Sequence, residues 1–268
     1  MNVVKALTIA GSDSGGGAGI QADLKTFQEL DVYGMSAITA ITAQNTLGVQ
    51  GVFPLSIEAV VEQIKSIAAD LRPDALKTGM LFSSELIEAV AQAIKEAKWE
   101  KLVVDPVMIA KGGAPLLQEQ AVDSLKRELI PLAYCITPNI PEAEVIVGYE
   151  IVTLEDRKRA AKDINQLGAK NVVIKGGHGE GNEVVDLLFD GSEFHLLTSP
   201  RKETKYTHGT GCTFAAAITA ELAKGKSIKE AVETAKAFIQ AAIEDTLGIG
   251  SGHGPTNHWA LRNRKVKM

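Results

Sequence analysis

The sequence predicts an α/β fold in which three layers, helix–sheet–helix, are built around a mostly parallel central sheet. Apolar strand-like runs alternate with amphipathic helix-like runs along the 268 residues, which is the pattern of crossover connections between parallel strands. No linker, internal repeat or low-complexity block interrupts this alternation. We therefore expect a single domain over residues 1–268, a length that can bury a large core.

The first half of the chain alternates regularly between the two patterns. Apolar and β-branched residues predict strands, at 3–10, 35–43, 47–53, 75–77 and 101–105. Amphipathic spacing predicts helices, at 20–30, 57–70 and 83–97. Ser56 and Ser83 stand where the second and third of these helices begin, and serine is a preferred N-cap residue.

The second half continues the alternation and adds a hairpin. Helices are predicted at 121–129, 154–167, 213–224 and 228–246, with a short one after Asn139, and strands at 134–137 and 171–175. Asp190-Gly191 separates two further strand-like runs, 183–189 and 193–197, and so indicates a hairpin. The basic tail, 262–267, is expected to be a solvated chain end.

Composition excludes several classes of function. The chain is 45% apolar and 23% charged, with a net charge of −5 and a pI of about 5.6, so it offers no electrostatic case for nucleic acid. No apolar run approaches the roughly 20 residues that span a membrane, and the apolar start is too short for a signal peptide. Two cysteines, Cys135 and Cys212, cannot form a disulfide framework. A cytoplasmic location is expected.

Polar and glycine-rich loops follow most of the predicted strands at the same end. They comprise 11–19, Gln44-Asn45, Thr78-Gly79, Asp105-Pro106, Thr137-Pro138-Asn139 and Lys175-Gly176-Gly177-His178. In parallel sheets, ligands bind beyond the carboxyl ends of the strands. This convergence predicts a binding site more strongly than any one motif does.

The run 206–214 is the most informative of these segments. Gly209, Thr210, Gly211 and Cys212 precede a helix-forming stretch, and a glycine turn that leads into a helix directs free amides at one point. The segment therefore predicts an anion site for a transferable phosphate. Cys212 is expected to have a lowered pKa there and to accept a proton. A glycine loop before a buried helix, with the cysteine as packing, explains the spacing equally well.

The first glycine loop resembles a nucleotide fingerprint only weakly. Residues 17–22 match G-x-G-x-x-A, but Gln44 and Asn45 stand where a dinucleotide site needs an acid. We interpret the loop as a wall for a small substrate, with Asp23 one helical turn behind it. The alternative is a flexible loop and a solvated Asp23, and for Asp23 by itself that alternative is preferred.

Charged residues at three other strand ends suit a nucleotide phosphate and its metal. Asp105 ends an apolar strand and needs a cationic partner. Lys175 is a point charge for a phosphate, or a lysine that reaches solvent. Asn139 and Glu142 have the spacing to hold the waters of Mg²⁺, although a helix cap explains that pair better when it is taken alone. Lys111, in a Lys-Gly-Gly run, marks a flap that could close on substrate, or a plain surface loop.

Together these residues resemble the ribokinase-like family over essentially the whole chain. Within it, the sequence resembles the bacterial kinases of hydroxymethylpyrimidine and its phosphate in thiamin biosynthesis. The matching segments are Ala10-Gly11-Ser12-Asp13-Ser14, Gln21-Ala22-Asp23-Leu24-Lys25-Thr26, Lys77-Thr78-Gly79-Met80-Leu81, Asp105-Pro106-Val107-Met108, Thr137-Pro138-Asn139 with Glu142, and His208-Gly209-Thr210-Gly211-Cys212.

The resemblance implies a ribokinase-like fold and an ATP- and Mg²⁺-dependent kinase, with a homodimer as its usual assembly. Residues 209–212 would form the anion hole, and Cys212 would stand where most of the wider family has an aspartate base. Asp105, Asn139 and Glu142 would organise Mg-ATP, with Lys175 and Lys111 on the phosphates. Gln44 would read the pyrimidine. The substrate pocket would be walled by Gly11, Ala18, Asp23, Met80 and Val107.

Two other functions remain open from the sequence. Pyridoxal kinases, a closely related class by this resemblance, carry a cysteine in the flap where this chain has Ala110 and lack glutamine at the position of Gln44. A carboxamide offers a donor and an acceptor side by side, which complements an aminopyrimidine edge and favours the pyrimidine. A pyridoxal or dual-specificity kinase is the nearer alternative. A non-catalytic regulator that binds a vitamin or nucleotide is the remote one.

Overall fold

The computed structural model describes residues 3–108, 116–118, 120–177 and 181–266. Its strands are β1 (Lys5–Asp13), β2 (Tyr33–Asn45), β3 (Gly48–Pro54), β4 (Ala75–Thr78), β5 (Leu102–Val104), β6 (Ala133–Ile136), β7 (Asn171–Ile174), β8 (Glu183–Phe189) and β9 (Phe194–Pro200). They form one sheet in the order β3-β2-β1-β4-β5-β6-β7-β8-β9. The inner strands are parallel, whereas β3 and the β8–β9 hairpin run antiparallel. The predicted mostly parallel sheet is confirmed.

The helices are α1 (Gly19–Glu29), α2 (Ile57–Asp70), α3 (Ser84–Ala97), α4 (Ala121–Ser124), α5 (Ile140–Val147), α6 (Leu154–Gln166), α7 (Thr210–Ala223), α8 (Ile228–Glu244) and α9 (Ala260–Val266). The expected serine caps are confirmed, because Ser56 Oγ accepts the amide of Ala59 at 3.2 Å and Ser83 Oγ that of Leu86 at 3.3 Å. No helix within the described ranges is long and apolar enough to cross a bilayer.

Apolar side chains bury both faces of the sheet because alternate residues of a strand point to opposite sides. On β5, Leu102 and Val104 belong to the core beneath α2–α6, whereas Val103 belongs to the core beneath α1, α7 and α8. On β7, Val172 and Ile174 likewise belong to the first of these cores and Val173 to the second. The result is the predicted helix–sheet–helix arrangement, with β1 and β4–β7 buried on both faces.

Two predicted element ends are wrong in ways that affect the site. β1 continues to Asp13 because, after an irregularity between Ala10 and Ser12, the chain pairs again with β2. α7 begins at Thr210 and not at residue 213, because Gly209 adopts a left-handed φ of 83° and serves as its N-cap. Loop residues in the prediction therefore belong to regular elements in the structure.

The basic tail is helical as far as Val266. It forms α9, which begins with the buried Ala260. Arg264 bridges from this helix to Glu244 and Asp245, with both N–O distances at 2.8 Å. The tail is helical, but its described side chains stay largely exposed, with Arg262 at 63% and Val266 at 80%, which agrees with the expected solvated end.

Candidate active site

A cavity of about 680 Å³ opens at the carboxyl ends of the parallel strands. This is the edge at which the sequence predicted a binding site. The predicted site residues that line it are Gly11, Ala18, Gln44, Met80, Asp105, Val107, Asn139, Glu142, Lys175, Gly209, Thr210, Gly211 and Cys212. Lys111 and the neighbouring Ala110 lie outside the described residues. Loops from six strands and the start of α7 thus converge on one volume.

Asp23 is not part of the cavity wall, contrary to the prediction. Its side chain is 0% exposed, and its two carboxylate oxygens lie 3.0 and 3.1 Å from Nζ of Lys77, which is also 0% exposed. The Thr8 hydroxyl donates to the same carboxylate at 2.6 Å. Burial opposes charge on Lys77, but the adjacent carboxylate outweighs it and raises the pKa of the ammonium. Asp23 is therefore half of a buried ion pair, and the solvated alternative is also wrong.

The first turn of α7 presents free amides to the cavity. Thr210 N–H bonds Thr207 O at 3.3 Å, and Thr213 N–H bonds Gly209 O at 2.9 Å. Between them, the amides of Gly211 and Cys212 have no acceptor in the described part of the chain. These donors and the helix dipole favour an anion at this point. The amides that the sequence predicted to converge on an anion thus belong to the first turn of the helix.

Cys212 lies at the cavity, but its acidity is opposite to the prediction. The side chain is partly exposed and lines the cavity beside the α7 amides. Burial raises the pKa of its thiol to about 12, and the Lys77 ammonium offsets only part of this. The carboxylates of Asp105 and Asp23 add to the increase. Desolvation and nearby negative charge outweigh the helix dipole here, so the free protein holds a neutral thiol.

The first glycine loop is unsuited to phosphate because its amides are already used. Asp13 accepts the amides of Gly15 at 2.8 Å, Gly17 at 3.0 Å and Ala18 at 2.8 Å. Burial favours the neutral acid, yet hydrogen bonds from His208 and these amides hold the pKa of Asp13 below its usual value. The loop is consequently folded around a carboxylate, which agrees with the interpretation of it as a substrate wall.

His208 connects this loop to Gln44. Its Nε2 lies 2.8 Å from Oδ2 of Asp13 and 3.1 Å from the end of the Gln44 carboxamide. Glycine is needed where the two loops touch, because a Cβ at Gly209 would overlap the carbonyl of Gly17. The sequence does not indicate this contact, because residues 195 positions apart become neighbours only in the fold.

Asp105, Glu142 and Lys175 form a charged cluster at the other end of the cavity. Lys175 Nζ lies 3.3 Å from Asp105 Oδ1, whereas Oδ2 of Asp105 is buried without a hydrogen-bond partner in the described structure. Burial raises the pKa of Glu142 to about 7, against the opposing effect of Lys175, and Asp105 raises it further. An orphaned carboxylate oxygen fits an incoming cation.

The cluster is not a complete metal cage. The described residues contain no group of three His, Cys, Asp or Glu side chains that could hold a metal ion alone. Two carboxylates suit Mg²⁺, which is commonly held by few protein ligands together with water and substrate phosphates. The residues present therefore fit a Mg²⁺ ion that is shared with a nucleotide.

Asn139 and Glu142 also serve the structure of α5. The Asn139 side chain accepts the amide of Glu142 at 2.9 Å, and Glu142 accepts the amide of Asn139 at 2.8 Å, which is a capping box. The cap that the sequence favoured for the isolated pair is present, and both side chains still line the cavity. One cap thus fixes two cavity residues.

One further ion pair at the cavity could not be predicted from the sequence. Lys236 Nζ lies 2.7 Å from Oδ2 of Asp186, whose Oδ1 accepts the amide of Gly176 at 2.7 Å. These residues come from α8, β8 and the segment after β7, and no spacing in the chain links them. Their pairing fixes the glycine segment that follows β7.

Comparison with known proteins identifies the family. The family model for phosphomethylpyrimidine kinase matches residues 13–257. The chain belongs to the phosphomethylpyrimidine kinase family. The hydroxymethylpyrimidine/phosphomethylpyrimidine kinase of Bacillus subtilis (strain 168) is 61% identical over 267 residues, which are 99% of this chain and 98% of that protein. The resemblance stated from the sequence is confirmed.

This member of the phosphomethylpyrimidine kinase family is also similar to pyridoxine and pyridoxal kinases. The pyridoxine kinase of Bacillus subtilis (strain 168) is 49% identical over 266 residues, with 98% of each chain covered. The crystal structure of an ADP complex of Bacillus subtilis pyridoxal kinase superposes with a TM-score of 0.91 at 48% identity, covering 97% of this chain and 99% of that one. The fold is thus shared between pyrimidine and pyridoxal kinases.

Proposed function

We propose that the chain transfers the γ-phosphoryl group of ATP to the hydroxymethyl group of 4-amino-5-hydroxymethyl-2-methylpyrimidine, and then to the resulting monophosphate, in thiamin biosynthesis. The observation that carries the proposal is that Gln44, the amides at the start of α7 and the Asp105 cluster line one cavity. A small alcohol, a transferred phosphoryl group and a nucleotide phosphate tail need neighbouring sites of these three kinds.

The acceptor ring would lie against the first glycine loop. Gln44 offers one donor and one acceptor, which matches the ring nitrogen and amino group of an aminopyrimidine. Gly11, Ala18, Met80 and Val107 would cover the ring. Gly11 and Met80 lie close together in this wall, because a Cβ at Gly11 would come within 3.1 Å of Met80 Cε.

The hydroxymethyl group would face Cys212 and the amides of α7. The amides of Gly211 and Cys212 would stabilise the negative charge of the transferred phosphoryl group, with Gly209 and Thr210 shaping the turn. Cys212 would take the hydroxyl proton in its thiolate form, which the Lys77 ammonium favours. Because phosphoryl transfer depends mainly on position and charge, a scarce thiolate is compatible with turnover.

The nucleotide phosphates would lie against the charged cluster. Lys175 and Asn139 would contact the phosphates, and Lys111 is proposed to join them from the flap. Asp105 and Glu142 would hold Mg²⁺, which when bound offsets the charge of the phosphate oxygens. Among the relatives, Bacillus subtilis pyridoxal kinase has been crystallised with ADP, and this supports ATP as the co-substrate.

A pyridoxal kinase, or an enzyme that serves both vitamins, is the second candidate. The 49% identity to a pyridoxine kinase and the fold shared with a pyridoxal kinase favour it. The higher identity to a pyrimidine kinase, 61%, and the carboxamide of Gln44 favour the pyrimidine. Values of kcat/KM for both alcohols, measured side by side, decide between them.

The proposal also includes location and assembly. Both cysteines are free thiols in the structure, as expected for a cytoplasmic protein. A homodimer is proposed as the working assembly, and exposed apolar side chains at the β3 edge of the sheet support it. The cytoplasmic location and the homodimer do not affect the chemistry proposed for the cavity.

The function is tested by ADP release from Mg-ATP with and without the pyrimidine alcohol. The purified protein should release ADP only when the alcohol is present, and Cys212→Ala, matched in every other residue, should release it far more slowly. Absence of turnover with any divalent cation would defeat the proposal. Calorimetric binding of the pyrimidine without turnover would instead support the regulator alternative.

A further inference from the structure

The carboxamide of Gln44 lies between two polar side chains that determine which way round it is held. One of its two terminal atoms is 3.1 Å from Nε2 of His208, and the other is 3.2 Å from Oγ1 of Thr42. One terminal atom of a carboxamide accepts hydrogen bonds and the other donates them, while their shapes are nearly the same. The hydrogen-bonding capacity of the two neighbours therefore decides the orientation.

The Thr42 hydroxyl can only accept a hydrogen bond from Gln44. The Ser12 carbonyl oxygen, at 2.9 Å, is nearer to Oγ1 than the Gln44 carboxamide, at 3.2 Å, so we assign the single hydroxyl hydrogen to Ser12. A carbonyl has nothing to donate in return. Only lone pairs of Oγ1 remain for Gln44. The NH₂ group of the carboxamide must therefore be the end beside Thr42.

Nε2 of His208 has no lone pair to offer the Gln44 carboxamide. This nitrogen is 2.8 Å from Oδ2 of Asp13, and Asp13 is held as a carboxylate by three loop amides. An ionised carboxylate at this distance requires a proton on Nε2, whether the ring is neutral or charged. The single hydrogen on Nε2 points mainly to Asp13 and reaches Gln44 only as the weaker arm of a three-centre hydrogen bond. The carbonyl oxygen of Gln44, and not its NH₂ group, is the end that suits this hydrogen.

The two neighbours thus require the same orientation independently. If the Gln44 nitrogen lay beside His208, two hydrogen-bond donors would face each other. The Gln44 oxygen would then face Oγ1 of Thr42, which has no hydrogen left to donate. A rotation of 180° resolves both conflicts. One hydrogen and one lone pair of Gln44 are then used by the protein, and one of each is left for a ligand in the cavity.

We propose that His208 and Thr42 are positioning residues that hold the Gln44 carboxamide in one orientation and so make the site select an amino-substituted ring edge over an oxo-substituted one. The proposal rests on the proposed function in that Gln44 faces the substrate ring. An aminopyrimidine presents a ring-nitrogen acceptor beside an amino donor, whereas the 4-oxo analogue presents a ring N–H donor beside a carbonyl acceptor. A carboxamide that is free to rotate could bind either edge, but a fixed one matches a single order once the hydroxymethyl group is held at Cys212.

The orientation itself is tested without any substrate. Neutron diffraction from deuterated crystals of the ligand-free protein distinguishes an ND₂ group from an oxygen. We expect ND₂ beside Thr42 Oγ1, the oxygen beside His208, and a deuterium on His208 Nε2. The reverse placement of the Gln44 atoms would overturn the proposal even if the kinase assays succeeded.

The selectivity is tested by kcat/KM for the 4-amino and 4-oxo pyrimidine alcohols with Mg-ATP. We expect His208→Leu and Thr42→Val each to lower the amino-to-oxo ratio by about tenfold or more, since each removes the contact that excludes the rotated carboxamide. His208→Gln keeps a donor and Thr42→Ser keeps the hydroxyl, so both should restore the ratio. A merely destabilised variant would lose activity on both rings alike.

An unchanged ratio in both His208→Leu and Thr42→Val would overturn the proposal. So would an equal loss in the conservative variants, because the fixed orientation would then not be the cause. If neither ring is phosphorylated by the wild type, the proposed function fails, and the neutron experiment still decides the orientation of Gln44. The two failures are therefore distinguishable.

Discussion

The chemistry of Cys212 depends on opposing influences at one atom. The start of α7 and the Lys77 ammonium favour a thiolate, but burial and two neighbouring carboxylates raise the thiol pKa to about 12. The balance is therefore set by groups from β4, α1 and the segment after β5, which no local spacing reveals. A helix N-terminus alone would have led to the opposite conclusion.

Cys212→Ala should lower kcat by about 100-fold or more with little change in KM, because proton acceptance occurs only on the way to the transition state. In the wild type, kcat/KM should keep rising with pH through the alkaline range, since the thiol pKa of about 12 in the ligand-free protein lies above it. Steady-state kinetics across pH check both points. A normal kcat in the variant, or a plateau near neutral pH, would remove the thiolate from the mechanism.

The helices of the α7 side depend on a buried histidine near the end of the chain. Nε2 of His258 lies 3.0 Å from Oγ1 of Thr213 on α7. The centre of the His258 ring lies 6.4 Å from the centre of the Phe238 ring on α8. Burial disfavours the charged ring, the charge of Lys25 adds to the effect, and together they lower the pKa of His258 to about 4 from its usual 6.5. This contact joins the helix that bears the anion site to the segment before α9.

The stability of these helices should therefore depend on pH. The unfolded chain binds a proton at His258 near pH 6.5 and the folded chain only near pH 4, so stability is complete above 6.5 and is lost as the pH falls toward 4. We expect the wild type to lose about 2 kcal/mol more unfolding free energy than His258→Gln between about pH 7 and pH 5. Urea unfolding of both proteins measures it. Parallel pH dependences would show that His258 is not held neutral.

Elements and their faces could be predicted from the sequence because they follow local periodicity. The alternation along β5 and β7 sorted residues between two cores, and Ser56 and Ser83 marked helix starts. The start of α7 could not be placed, because Gly209 takes a left-handed φ only where it meets the first loop.

The same distinction between local patterns and distant contacts applies to the site residues. Residues in distinctive loops, such as Gln44, Asp105 and Cys212, could be assigned to the cavity from sequence and resemblance. Asp23 was misassigned because its partner Lys77 is 54 positions away and the pair is buried below the cavity. The Asp186–Lys236 pair was missed for a similar reason, since neither residue stands in a recognisable motif.

At the scale of the whole molecule, one edge of the sheet is open to association. β3 is an edge strand, and Ile41 on β2 faces Phe53 on β3 across the pair. Their exposed fractions, 49% and 61%, are large for apolar side chains. Exposed apolar residues along an unpaired edge favour contact with another chain, and this supports the proposed homodimer.

Sedimentation equilibrium should therefore give twice the chain mass of 28.5 kDa. Phe53→Asp should shift the mass toward that of one chain, because a charge would be buried in the interface. Val152→Asp is a matched control, since Val152 is 70% exposed and lies before α6, away from β3. A wild-type mass of one chain at micromolar concentration would refute the dimer.

The most direct measurement is mass analysis of one reaction mixture that contains Mg-ATP, the protein and equal concentrations of the aminopyrimidine alcohol and pyridoxal. Transfer of the γ-phosphoryl group to the hydroxymethyl group in this cavity predicts that pyrimidine monophosphate forms first and the diphosphate after it. Accumulation of pyridoxal phosphate alone, or of no phosphorylated vitamin, would contradict it.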